Sequence, residues 1–282
     1  MSEQPKLLIF DIDGTLMSTG GLTGVAFELA IEELYGVKNS TNGIEPFGLT
    51  DQLIFSKILQ NNNIPYENGA EEFERFCEKY IIHLGIQLNN SSKPMLLPGV
   101  KRLLQKLKDD KKVFLALETG NIEPSAFLKL HSLGVISHFP IGGFGSDSMD
   151  RAKIIELAFR RAQAHYRVPF SIKETWVIGD TPNDINAGQQ LGINTISVAT
   201  GVFGVEQLSH HRPNAIFDDF TDWERFLNVI HRQVTEFVPN PGFEPKPEFK
   251  PEFKPEIGDN IVSGDKPDST DIIVDMGYPW DE

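Results

Sequence analysis

Asp11 and Asp13 stand two residues apart, directly after the apolar run Leu7-Leu-Ile-Phe10 and before Gly14-Thr15. Carboxylates at i and i+2 leave a strand on the same side. Four consecutive apolar residues read as a strand buried on both faces, the habit of parallel sheets in α/β folds, where ligands sit beyond the carboxyl ends of the strands. The pair is therefore expected at a ligand-facing strand end; the plainer alternative is an Asp-Gly turn. Three more signals fall after strand-like runs. Thr119 and Gly120, followed by Asn121, offer a hydroxyl and a residue without a side chain, so that backbone N–H groups can approach a phosphate. Arg151 and Lys153 open a helical pattern, and either could put a cation over the strand ends, with a surface salt bridge as the plainer reading. Trp176-Val-Ile-Gly-Asp180 ends a strand in a carboxylate and sets Asp184 at the next helix start, where it also suits an N-terminal cap.

The elements that must carry these residues follow from the pattern of apolar positions. Helical periodicity over residues 21–35, 51–59 and 71–84, with no strand signal among them, predicts an all-helical insert. From Leu97-Pro-Gly-Val100 the chain alternates regularly. Helices are predicted to residue 108 and over 123–132, 152–164 and 184–191, with strands over 113–117, 139–142, 175–178 and 195–198. Strand and helix repeated with short connections predict a doubly wound, Rossmann-like parallel α/β sheet, with the insert as a cap above its strand ends. The expected domains are a core of residues 1–18 and 94–238, a helical cap of 19–93 and a tail of 239–282.

The tail differs in kind. It holds eight of the 18 prolines and a tandem Lys-Pro-Glu repeat over residues 246–257. Eleven acidic and four basic residues give it a net charge of -7, half of the -14 of the whole chain. It is expected to be extended and disordered, either solvating the protein or docking a protein partner through Phe249, Phe253 or the terminal Ile272-Ile-Val and Tyr278-Pro-Trp280.

Bulk properties narrow the function. With 282 residues, 40% of them hydrophobic, the chain can bury a sizeable core. No apolar run reaches membrane-spanning length and no secretory segment precedes the first strand, so a cytoplasmic, membrane-free protein is expected. The acidic balance argues against nucleic acid as a partner. The single cysteine, Cys77, falls on a packed helix face and is given no catalytic role. Gly142-Gly-Phe-Gly145 lacks the third glycine of a dinucleotide fingerprint, and His210-His211 has no metal-ligand spacing.

Taken in order, Asp11-Ile-Asp13-Gly-Thr-Leu, Thr119-Gly-Asn, a basic residue opening the next helix, and Gly179-Asp180 followed by Asp184 resemble the haloacid dehalogenase-like hydrolases, within them the capped phosphatases similar to phosphoglycolate phosphatase. The resemblance covers residues 6 to about 220 and implies a cap inserted just after the first strand. It implies that Asp11 attacks phosphorus to form an aspartyl-phosphate and that Asp13 protonates the leaving alcohol, then deprotonates water. It implies Mg²⁺ on Asp11, Asp180 and the backbone carbonyl of Asp13, with Asp184 ligating or orienting through water. Thr119, Gly120 and Asn121 with Arg151 or Lys153 would bind the phosphoryl group of a small phosphorylated metabolite, phosphoglycolate-like or a sugar phosphate.

Two residues depart from the pattern. The family generally has lysine at the basic position, whereas here Arg151 fits the helix's apolar spacing better than Lys153. Glu118 interrupts an apolar strand, either to pair with that cation or to mark an altered specificity. Dehalogenases are disfavoured because they lack the second aspartate that Asp13 supplies, and phosphonatases because Lys38 and Lys57 sit in no telling context. A sugar-phosphate mutase keeps the same motifs, and a scaffold recruiting a partner through the tail is the reading from another class.

Overall fold

The computed structural model describes residues 4–65 and 69–231; the proline-rich segment 239–282 lies outside the described residues. In chain order β1 (Lys6–Phe10) and a two-residue β2 (Met17–Ser18) lead into three helices, α1 (Leu22–Tyr35), α2 (Asp51–Asn61) and α3 (Gly69–Asn89), and out through β3 (Met95–Leu96). Then come α4 (Val100–Asp109), β4 (Val113–Glu118), α5 (Glu123–Ser132), β5 (Gly142–Gly143), α6 (Arg151–Tyr166), β6 (Thr175–Gly179), α7 (Pro182–Gln190), β7 (Asn194–Val198), α8 (Val205–Ser209), β8 (Ala215–Phe217) and α9 (Trp223–His231).

Six strands form one parallel sheet in the order β5-β4-β1-β6-β7-β8. Alternation along β1 explains its unbroken apolar sequence. Leu8 and Phe10 join a core built with α4, α5 and α9 on one face, while Leu7 and Ile9 join α6 and α7 on the other. The doubly wound sheet expected from the sequence is thus present. The chain lays down β1, β4 and β5 in one direction and returns to place β6 on the other side of β1, so the crevice between β1 and β6 is the topological switch point.

The three insert helices bury a core of their own. Its centre is aromatic, with ring centroids of Phe27 and Tyr80 4.4 Å apart and those of Phe55 and Phe76 4.6 Å apart. Ile122, from the loop before α5, completes this cluster. Cys77 packs beside it, and burial pushes its thiol up to about 12, far from a reactive thiolate. The insert is joined to the sheet by the antiparallel pair β2–β3, with Met17 opposite Leu96. No helix among the described residues is long and apolar enough to cross a membrane.

Several boundaries differ from expectation. The strand predicted over 139–142 is displaced to Gly142–Gly143, because Pro140 has no donor for a ladder; Ile136–His138 forms a 3₁₀ turn and Phe139 turns its ring into the core. The helix expected from Asp184 begins at Pro182, whose missing N–H costs nothing in a first turn. The β2–β3 pair, α8, β8 and α9 are additional to the predicted elements.

Candidate active site

Asp11 and Asp180 leave β1 and β6 on the two sides of the switch point, and the Asp11 N–H donates to the Ile178 carbonyl at 2.9 Å. Asp184 comes up from the first turn of α7. Its Oδ2 accepts from the N–H of Thr181 at 3.0 Å and from its hydroxyl at 2.8 Å, so the residue caps its own helix as well as facing the crevice. Carboxylate oxygens of Asp11, Asp180 and Asp184 all lie within 4.8 Å of one another, and all three residues are buried. Gly14 makes this closeness feasible. At φ +80° it turns the loop after Asp13 against Asp180, where a Cβ would stand 2.3 Å from a carboxylate oxygen.

Burial raises Asp11 to about 7, with repulsion from Asp184 and Asp13 adding to it and Arg151 opposing it. Burial raises Asp180 to about 8, assisted by repulsion from Asp11 and Asp184. Burial also holds Glu118 well above the ordinary carboxyl range, against the pull of Arg151. Asp11, Asp180 and Glu118 thus hold protons more tightly than ordinary carboxyls unless a further cation balances the charge. An all-oxygen donor set of this kind suits a hard divalent ion, so the residues fit Mg²⁺.

Arg151, the first residue of α6 after the Asp150 cap, supplies the cation of the site. Its Nη2 lies 2.7 Å from Asp184 and 3.4 Å from Asp11, and its Nε 3.0 Å from Glu118. The Nη1 is buried without a hydrogen-bond partner, and the residue lines the cavity. Lys153, two residues on, points to solvent and takes no part in the cavity lining. Glu118 therefore meets the cation, as one of the two sequence readings has it.

Asp13 stands apart from the three clustered carboxylates. Its side chain, 40% exposed, turns toward α5, where its Oδ2 accepts 2.7 Å bonds from both Asn121 Nδ2 and Lys129 Nζ. Lys129, 1% exposed, also donates to Asn121 Oδ1 at 2.5 Å. The sequence reading missed Lys129, although a signal existed: it falls in the buried stripe Ser125, Ala126, Lys129, Leu130 of α5, a position where helical period calls for an apolar residue. Thr119 is fully buried beside them, with its Oγ1 accepting from Asn121 Nδ2 at 2.6 Å.

The insert closes over this loop. Asp51, the first residue of α2, donates its N–H to the Gly120 carbonyl at 2.8 Å, and its carboxylate accepts from the Ile122 N–H at 2.8 Å and the Ser125 hydroxyl at 3.3 Å. Burial lifts Asp51 to about 6, against the pull of Lys129 and the Ile122 N–H. Between insert and sheet lies a cavity of about 550 Å³ whose floor includes Asp11, Asp13, Thr119, Arg151 and Asp180.

Comparison with known proteins agrees with this geometry. A probable phosphatase, IndB of Dickeya dadantii, is 28% identical over 217 residues, covering 77% of this chain and 90% of that protein. A phosphoglycolate phosphatase of Aliivibrio fischeri is 27% identical over 229 residues, covering 78% and 95%. The fold matches the crystal structure of a predicted phosphoglycolate phosphatase from Haemophilus somnus with a TM-score of 0.61 and 20% identity, over 80% of this chain and 99% of that one. The profile of haloacid dehalogenase-like hydrolases matches residues 8–198, from the strand that delivers Asp11 through the strand that follows Asp184. The chain belongs to that family.

Proposed function

We propose that the protein is a Mg²⁺-dependent phosphatase of a small phosphorylated metabolite, working through an aspartyl-phosphate, with residues 19–93 as the cap and 1–18 with 94–238 as the core. The observation that carries this reading is the grouping of three buried carboxylates under a cavity that Arg151 also lines. Phosphatases among the relatives and the family match support the reaction class.

Asp11 and Asp180, with the Asp13 carbonyl, would hold the ion, and Asp184 would hold it through water while anchoring Arg151. When bound, the ion supplies positive charge that screens the phosphate dianion from the attacking carboxylate. Asp11 is then the nucleophile: its carboxylate oxygen bonds to phosphorus as the ester oxygen leaves. Thr119, the Gly120 and Asn121 backbone and Arg151 would take the phosphoryl oxygens as charge redistributes. Asp13, with Oδ2 tied to Asn121 and Lys129, has Oδ1 left to protonate the leaving alkoxide and afterwards to draw a proton from the water that cleaves the aspartyl-phosphate. The insert covers the reacting end and keeps bulk water from it. The cytoplasm is the compartment in keeping with a single half-buried cysteine.

The test is phosphate release from a panel of phosphate monoesters with and without Mg²⁺. Turnover should need the ion and fall below about 1% in Asp11→Asn, which keeps the shape and removes the nucleophile. Retention of more than a few per cent of the rate in that variant would sink the covalent mechanism.

A further inference from the structure

The cavity continues past Asp13 to walls supplied by the insert, and their chemistry differs from that of its floor. Thr19 and Thr23 present hydroxyls 3.1 Å apart that bond to each other, and beside them stand the apolar side chains of Phe27, Ile44, Phe47 and Ile54. Among the described residues 18–54 that line the cavity none is lysine, arginine or histidine, and the one ionisable group they contribute is the carboxyl of Asp51. Both cations on the sheet side are already engaged. Lys129 is wedged between Asp13 and Asn121, and Arg151 spans Asp11, Glu118 and Asp184 at the reacting end.

We infer that the substrate is a phosphate monoester of an uncharged alcohol with an apolar or aromatic face, of about nucleoside size; this rests on the phosphatase reading and narrows it. A carboxylate or a second phosphate on the leaving group would lose its water on entering the cavity, gain no cation, and stand near Asp13 and Asp51. An uncharged alcohol has no such cost. Its hydroxyls can exchange bonds with Thr19 and Thr23, and a ring can lie against Phe47, which is 51% exposed and free to receive it. A volume of about 550 Å³ is larger than glycolate needs and falls in the ordinary range for ligands of nucleoside size. By the same argument the wall does not suit the bisphosphate that a sugar-phosphate mutase must hold by both ends.

The experiment measures kcat/KM of the full-length enzyme with Mg²⁺ for uridine 5′-monophosphate, phenyl phosphate, phosphoglycolate and glucose 1,6-bisphosphate. The two esters of uncharged ring-bearing alcohols should exceed the two with a second anion by about 100-fold. Phe47→Lys places a cation at an exposed position that folding tolerates, and should narrow that ratio at least tenfold by raising phosphoglycolate and lowering phenyl phosphate. Phosphoglycolate equal to or above the ring esters overturns the inference and leaves the phosphatase reading intact. Release from none of the four above the level of Asp11→Asn overturns both.

Discussion

Arg151 and Lys153 sit two residues apart on one helix and offer a sharp contrast in what a positive charge does. Arg151→Met keeps the aliphatic stem and deletes a guanidinium that lies 2.7 Å from Asp184, 3.0 Å from Glu118 and 3.4 Å from Asp11. Removing one partner of a buried ionic cluster costs about 3–5 kcal/mol because the remaining charge is left unpaired. Burial already raises Glu118 and Arg151 opposes that rise, so losing the guanidinium favours proton uptake there, which relieves part of the cost, and the lower end is expected. At about 2–4 °C per kcal/mol for a domain of this size, the melting temperature should fall by roughly 6–12 °C. Activity should fall by about 10²–10³-fold, the usual consequence of deleting a donor aimed at developing charge. Lys153→Met, at an exposed site, should stay within about 0.5 kcal/mol of wild type and keep the full rate. Arg151→Lys restores the charge without the planar fork and should recover stability more than rate. Differential scanning fluorimetry and phosphate release decide the matter together. Equal small effects in Arg151→Met and Lys153→Met would refute the electrostatic reading of the site, and a larger loss in Lys153→Met would reverse it.

Two further outcomes follow from the same cluster and its neighbour. Asp11 at about 7 and Asp180 at about 8 bind protons more tightly when folded than the ordinary carboxyl does, so without metal the folded state carries extra protons between about pH 4 and 8. Metal-free stability should therefore fall as pH rises from 6 to 8, and Mg²⁺ should flatten that slope by holding both carboxylates ionised; a metal-free melting temperature that rises over this interval would contradict it. Lys129→Met should slow esters of poorly acidic alcohols by about 10–100-fold, from the loss of one charge-assisted bond to Asp13, while sparing an ester of p-nitrophenol, whose leaving group needs little protonation. Equal losses on both esters would mean that Lys129 supports the fold and not the acid.

The residues gathered at the candidate site were legible because each follows a strand whose apolar run announces itself. Helices on both faces of the sheet make β1, β4 and β6 read as mainly hydrophobic segments, and Asp11, Thr119 and Asp180 follow directly where those strands end. Spacing along α6 separated Arg151 from Lys153, since Ile154, Ile155 and Ala158 fix its inward face. Lys129 needed the packing: its partners lie 116 and 8 positions away, and a lone lysine gives no sign of them. The two-residue strands β2 and β3 have no pattern of their own, being paired by the closeness of the two chain crossings into the insert. The strand expected to end at Gly142 runs on to Gly143, because the close approach to Ile154 that excludes a side chain there is a tertiary fact.

Asp51 joins the insert to the loop that holds Thr119, and it does so through the backbone on both sides. Its N–H fixes the Gly120 carbonyl and its carboxylate fixes the Ile122 N–H, so the peptide units on either side of Asn121 are clamped only while the insert is seated. In the phosphatase proposed above, shielding the reaction from water and shaping the cradle for the phosphoryl group are then one event and not two. By thermodynamic reciprocity, whatever tightens on the cradle must tighten the insert in equal measure. An ester too small to reach the insert walls can still recruit them through its phosphate end, whereas a loosened insert degrades the grip on every ester alike.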